Sequence, residues 1–209
     1  MIFSPQMLNT FQECPVKYFF KYVRNIQAPV LENTFLVGKN IHAIAAYYLK
    51  GQDISMFELS EKERLMWDIL VKSEYFNLKT VRVESTVAAQ VAGSWIGGRL
   101  DALVKNDNND YFILDYKTGQ IPKNPEENFQ TIVYLLCCDK LLPSEYNSLN
   151  FTYISVKTGD VRNIKFTEIL KKEYEEKVTR IIEDIKRLHE PAIKRTELCK
   201  LCPYSKICV

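Results

Sequence analysis

Almost no charge surplus exists in this 209-residue sequence: 28 lysines and arginines against 26 aspartates and glutamates leave a formal net charge of +2. So even a balance excludes a broad basic surface, and any polyanion site has to be local. No apolar run approaches the roughly 18 residues a spanning helix needs. The opening Met-Ile-Phe-Ser-Pro also lacks a basic segment followed by a hydrophobic stretch, so the expectation is a cytoplasmic protein with no membrane partner. Internal repeats and low-complexity linkers are missing, and so is the Gly-x-x-x-x-Gly-Lys-Ser/Thr phosphate loop; the chain is expected to carry no motor of its own. Histidine is scarce, with His42 and His189 the only two.

What is present supports one core. An apolar fraction of 46% over this length suits a single domain, perhaps with an appended subdomain. Four of the six cysteines sit near the chain ends, Cys14 at one and Cys199-x-x-Cys202-x(5)-Cys208 at the other. The two-residue step turns the backbone back on itself and the five-residue step returns a third sulfur, so a metal clasp is expected. Disulfides lack an oxidising compartment. Zinc and an iron–sulfur cluster fit the spacing equally well. Cys137 and Cys138 lie in an apolar helical stretch and read as packing residues.

The chain divides by period. Ser4-Pro5 caps a short helix that runs to Pro15, with Cys14 near its end, and the aromatics Tyr18, Phe19, Phe20 and Tyr22 read as core. Helical spacing recurs from Thr34 to Lys50, carrying His42, and Ser60-Glu-Lys-Glu63 is a capping box for a third helix. From Val81 the rhythm becomes two: Val81, Val83, Ser85 and Val87 alternate with Arg82, Glu84 and Thr86. Strands at 95–104 and 111–116 follow, joined by the polar turn Asn106–Asp110. A helix after Pro125, a strand at 149–156, a turn at 157–160, a strand ending near Phe166 and a long helix from Thr167 to about His189 complete the order. His189 then reads as a partner for the helix C-terminal dipole.

Carboxylates inside strands need a reason, because charge is depleted there. Asp101 lies in Gly98-Arg-Leu-Asp101 and Asp115 in Ile113-Leu-Asp115-Tyr-Lys117, both among apolar residues. A period of two puts Asp115 and Lys117 on one face. If Asp101 lies opposite on the adjoining strand, two carboxylates and a lysine converge, and the carboxylate oxygens are hard ligands suited to magnesium or manganese; a buried Asp115–Lys117 ion pair with Asp101 elsewhere is the competing reading.

Asp101, then Asp115-Tyr-Lys117-Thr-Gly119, then Gln130-x-x-x-Tyr134, with His42 upstream and the cysteines at both ends, resembles the RecB-like branch of the PD-(D/E)xK nuclease superfamily. The likeness extends to its iron–sulfur members, such as AddB-type nuclease domains and CRISPR-associated RecB-like exonucleases. It runs from Ser4 to Cys208. It implies an α/β, restriction-endonuclease-like fold: a central mixed sheet flanked by helices, with helical N- and C-terminal segments joined by the metal cluster. One domain is expected over 1–209, with a helical segment at 1–75, the nuclease core at 80–190 and the cysteine tail at 191–209.

The resemblance also implies roles. Asp101 and Asp115 would ligate a Mg2+ or Mn2+ ion together with the His42 imidazole and the Tyr116 main-chain carbonyl, and Lys117 would orient the attacking water. Glu84 would support that site or hold a second ion, or else lie exposed on the strand. Gln130 and Tyr134 share a helical face that would contact DNA, although Tyr134 fits a core position equally well. Cys14, Cys199, Cys202 and Cys208 would hold a 4Fe–4S cluster, with zinc as the alternative. The implied activity is hydrolysis of DNA from single strands or ends, with a helicase, recombination or CRISPR protein as partner; the alternative is a DNA-binding or assembly subunit that cuts little.

Overall fold

The computed structural model describes residues 1–28 and 36–208. In chain order the strands are β1 (Ile2–Phe3), β2 (Lys79–Val91), β3 (Ser94–Lys105), β4 (Asp110–Lys117), β5 (Ser148–Ser155) and β6 (Val161–Lys165). The helices are α1 (Pro5–Glu13), α2 (Pro15–Tyr18, continued by a π-helical turn at Phe19–Val23), α3 (Leu36–Leu49), α4 (Glu61–Val71), α5 (Phe129–Leu141) and α6 (Glu168–Lys186). The expected start of α3 at Thr34 falls outside the described residues.

All six strands form one mixed sheet ordered β1-β3-β4-β5-β6, with β2 on the other side of β3. β2, β3 and β4 run antiparallel, whereas β4 and β5 are parallel and need a crossover, which α5 supplies. Alternation along β4 divides the core. Tyr111 and Ile113 face α5 and α6, while Leu114 and Tyr116 face α3 and α4. Asp115 and Lys117 have the parity of Ile113, which turns them toward α5.

Local chemistry explains most element ends. Ser4 Oγ accepts from the Met7 amide. Ser60 and Glu63 make both bonds of the capping box, and Asn40 on α3 donates to Glu63 at 2.7 Å, pinning α4 to its neighbour. Asn106 Oδ1 accepts from the amides of Asn108 and Asp110, folding the β3–β4 turn. Cys137 and Cys138 are buried in α5, as packing residues should be.

Two expectations fail. α6 stops at Lys186, because the Leu188 amide bonds the Ile185 carbonyl and tightens the final turn while the Leu188 side chain folds against the core; His189 therefore lies beyond the helix rather than in its last turn. The alternation of β2 does not begin at Val81. A register shift between Thr80 and Arg82 leaves Val81 exposed, and Glu84 adopts a left-handed φ of 48°.

Candidate active site

A break in the sheet makes room for the site. On one edge of β3, β1 pairs with Trp95 and Ile96, and β4 begins to pair at Ala102. Among the described residues, 97–101 have no strand partner on that edge, and Asp101 stands at its end. The Asp101 carboxylate continues the ladder by side chain, Oδ2 accepting from the Tyr116 amide at 3.2 Å. From α5, Tyr134 donates its hydroxyl to the Arg99 carbonyl at 2.7 Å. A Cβ on Gly98 would stand 3.0 Å from that hydroxyl, so glycine is what lets Tyr134 reach the strand.

Asp115, Lys117 and Gln130 form a closed triangle. Asp115 Oδ2 lies 2.8 Å from Lys117 Nζ, Gln130 Nε2 donates to Asp115 Oδ1 at 2.5 Å, and Lys117 Nζ donates to Gln130 Oε1 at 2.9 Å. The Lys117 ammonium also lies 5.4 Å from the centre of the Tyr153 ring. Asp115 is buried, and that burial, with the neighbouring charge of Asp101, pushes its carboxyl up to about 6 against the opposing pull of Lys117. The Lys117 ammonium is the one protein group paired with Asp115 Oδ2 among the described residues.

His42 reaches the same place from α3. Its Nδ1 lies 3.2 Å from Asp101 Oδ1 and its Nε2 2.9 Å from the Tyr116 carbonyl oxygen. Both ring nitrogens face acceptors, so both contacts become hydrogen bonds only in the doubly protonated ring. Burial pushes the imidazole down, but the bond and charge of Asp101, the charge of Asp115 and the Tyr116 carbonyl outweigh it, and the net direction is up.

Glu84 belongs here as well. The pairs Val83↔Ala102 and Ser85↔Leu100 bracket it with Asp101 across the β2–β3 ladder. Ligand atoms of His42, Glu84 and Asp101 lie within 4.8 Å of one another, and no other such trio occurs among the described residues. This donor set of two carboxylates and an imidazole fits a divalent cation, and Asp115 borders the same open cavity of about 820 Å³. Asp115 itself lies outside the trio. Non-glycine residues in the left-handed region cost of order 1–3 kcal/mol and collect at functional sites. One neighbour escaped the sequence reading: Arg99, at the rim, binds Glu84 through Nε at 2.9 Å. Its only sequence signal is its place two residues before Asp101.

The four terminal cysteines line a separate cavity of about 280 Å³. Cys14 Sγ accepts from the Lys17 amide at 3.4 Å and Cys199 Sγ from the Thr196 amide at 3.3 Å. Burial raises the Cys208 thiol, and Cys14, Cys199 and Cys202 raise it further. No three of these sulfurs come within 4.8 Å of one another.

The model of the PD-(D/E)XK nuclease superfamily matches residues 2–209, and the chain belongs to that superfamily, whose members hydrolyse phosphodiester bonds with divalent metals. Among solved structures it is similar to a protein from Eubacterium rectale described as a candidate exonuclease, with 15% identity, 97% of this chain and 87% of that chain covered, and a TM-score of 0.58. That likeness shows the fold. Looser similarities are to SSO0001 (17% identity, 98% and 80% covered, TM-score 0.44) and to LHK-Exo in complex with dAMP (13%, 88% and 88%, 0.40). No curated protein matches the sequence. Among the described residues, no helix is long and apolar enough to cross a membrane.

Proposed function

We propose that this nuclease is a Mg2+- or Mn2+-dependent deoxyribonuclease of the RecB-like branch, acting as an exonuclease on single strands or DNA ends. The observation that carries this reading is the Asp115–Lys117–Gln130 triangle beside the His42–Glu84–Asp101 trio. Asp101, Asp115, Glu84 and His42, with the Tyr116 carbonyl, would hold the ion. When bound, a divalent ion supplies Lewis acidity at the scissile phosphate and a more acidic water. To serve as a ligand, a ring nitrogen of His42 would have to be unprotonated. Lys117 orients the nucleophilic water and neutralises charge building on the phosphate, and Gln130 fixes the rotamers of both Asp115 and Lys117. The imidazole favours manganese over magnesium.

For the clasp, we propose a structural 4Fe–4S cluster on Cys14, Cys199, Cys202 and Cys208. The four sulfurs line one cavity, and amide donors to Cys14 and Cys199 support thiolates.

End-labelled single-stranded DNA incubated with the purified protein and Mn2+ tests the activity: stepwise shortening that EDTA abolishes is expected, and an intact substrate would overturn the reading. Broad violet absorbance of the brown protein is expected for the cluster; a colourless, zinc-loaded protein would refute it.

A further inference from the structure

We infer that the outer stripe of α3 is a single-strand ledge, on which Tyr47 stacks a base of the substrate while Lys39 and Lys50 hold the phosphates on either side. This rests on the nuclease reading of the neighbouring carboxylates and names how that site receives its strand. Lys39, Ala43 and Tyr47 follow one another at steps of four and share one helical face, and Lys50, the first residue past α3, continues that line with its amide bonded to the Ala46 carbonyl. All four line the cavity that also holds Asp101, Asp115 and Lys117.

Exposure separates this stripe from the opposite face. Lys39, Tyr47 and Lys50 are exposed, whereas Ile41, Ile44 and Ala45 are wholly buried. Between the two lysines, Ala43 and Ala46 present only methyl groups, leaving a shallow floor beside the Tyr47 ring. The lysines are about 16 Å apart along the helix axis, room for a few nucleotides. Tyr47 is fixed edge-on against Phe57, with centroids 5.1 Å apart and planes at 80°. Its neighbour Tyr48 is equally exposed but lies outside this cavity, stacked on Phe76 at 13°. α3 also carries His42, so the ledge and the ligand beside Asp101 move as one body.

Stacking of this kind requires an unpaired base, so the ledge selects single strands over duplex. Each lysine adds a phosphate contact that carries no sequence preference.

The test is fluorescence anisotropy of a labelled single-stranded oligodeoxynucleotide and of its blunt duplex, both in EDTA so that nothing is cut. Tyr47→Ala and Tyr47→Leu, the second of which keeps an apolar contact with Phe57, are expected to weaken single-strand binding about five- to a hundredfold and duplex binding much less, while Tyr47→Phe binds as wild type. Lys39→Ala and Lys50→Ala should each reduce the slope of log affinity against log salt by about 0.7. Wild-type single-strand affinity in both Tyr47→Ala and Tyr47→Leu, an equal loss on duplex, or no recovery in Tyr47→Phe would overturn the ledge. Failure of the catalytic reading is separate: it would show as undiminished cleavage by Asp115→Ala in a protein whose Tyr47 variants still lose single-strand binding.

Discussion

A carboxylate as buried as that of Asp115 is stable only where neighbouring groups replace the water it has lost. Lys117 supplies the compensating charge, and Gln130 ties the pair together by donating to Asp115 and accepting from Lys117. Gln130→Leu removes that donor and should cost about 1–3 kcal/mol of stability, with a fall in kcat at nearly constant KM because the lysine loses its aim. Gln130→Glu gives the sharper readout. A second carboxylate beside Asp115 adds to the effects already pushing its carboxyl up to about 6, so in the metal-free protein the Asp115 carboxyl should titrate at higher pH when followed by NMR; an unmoved titration would show that Gln130 only fills space. Asp115 and Lys117 were legible in the sequence because a period of two fixes their shared face. Glu84 was ambiguous, since its left-handed φ belongs to a break in β2 that regular alternation conceals. Arg99 was illegible because its partner, Glu84, comes from a neighbouring strand fifteen positions earlier in the sequence.

Elements with strong local signals followed the sequence closely. The capping box at Ser60 and Glu63 is one, since both of its bonds depend on residues three apart. Ser60→Ala should lower stability by about 1 kcal/mol. Hydrogen bonds from Ser60 and Asn40 hold the Glu63 carboxyl below its usual range. A depressed carboxyl contributes stability that is present above its unfolded value and lost as pH falls through its folded value. The difference in urea midpoint between wild type and Glu63→Gln should therefore be clear at about pH 7 and shrink toward about pH 3; a constant difference would remove Glu63 from the acid response. Elements with little periodicity were missed. β1 has two residues and exists only through its pairing with β3, and α2 runs directly into a π-helical turn. The overlong expectation for α6 has the same origin, because the turn at Leu188 answers to the core rather than to the sequence around it.

At the scale of the whole molecule, the chain ends meet twice. Tyr204 is buried, lies 5.8 Å from the Phe20 ring and donates to the Ile26 carbonyl at 3.0 Å, so the tail docks on the N-terminal segment by packing, and the cysteines of both ends line one cavity. A cluster binding Cys14 to the distant trio would close a loop of almost the full chain, where a link removes much unfolded-state entropy. Cys202→Ser should bleach the violet absorbance and lower the melting temperature by several degrees, while Tyr204→Phe, which loses one hydrogen bond, keeps the colour. Unchanged melting after Cys202→Ser would deny the clasp a structural role. The chemistry lies apart from that clasp, at the gap in the edge of β3, and the central claim is that the gap cuts DNA. The most direct measurement is the single-turnover rate on labelled single-stranded DNA with Mn2+ for wild type and for Asp115→Asn, which keeps the shape and removes the charge. A wild-type rate that EDTA abolishes, with Asp115→Asn slower by at least about a hundredfold, is the predicted result; equal rates for the two proteins would contradict it.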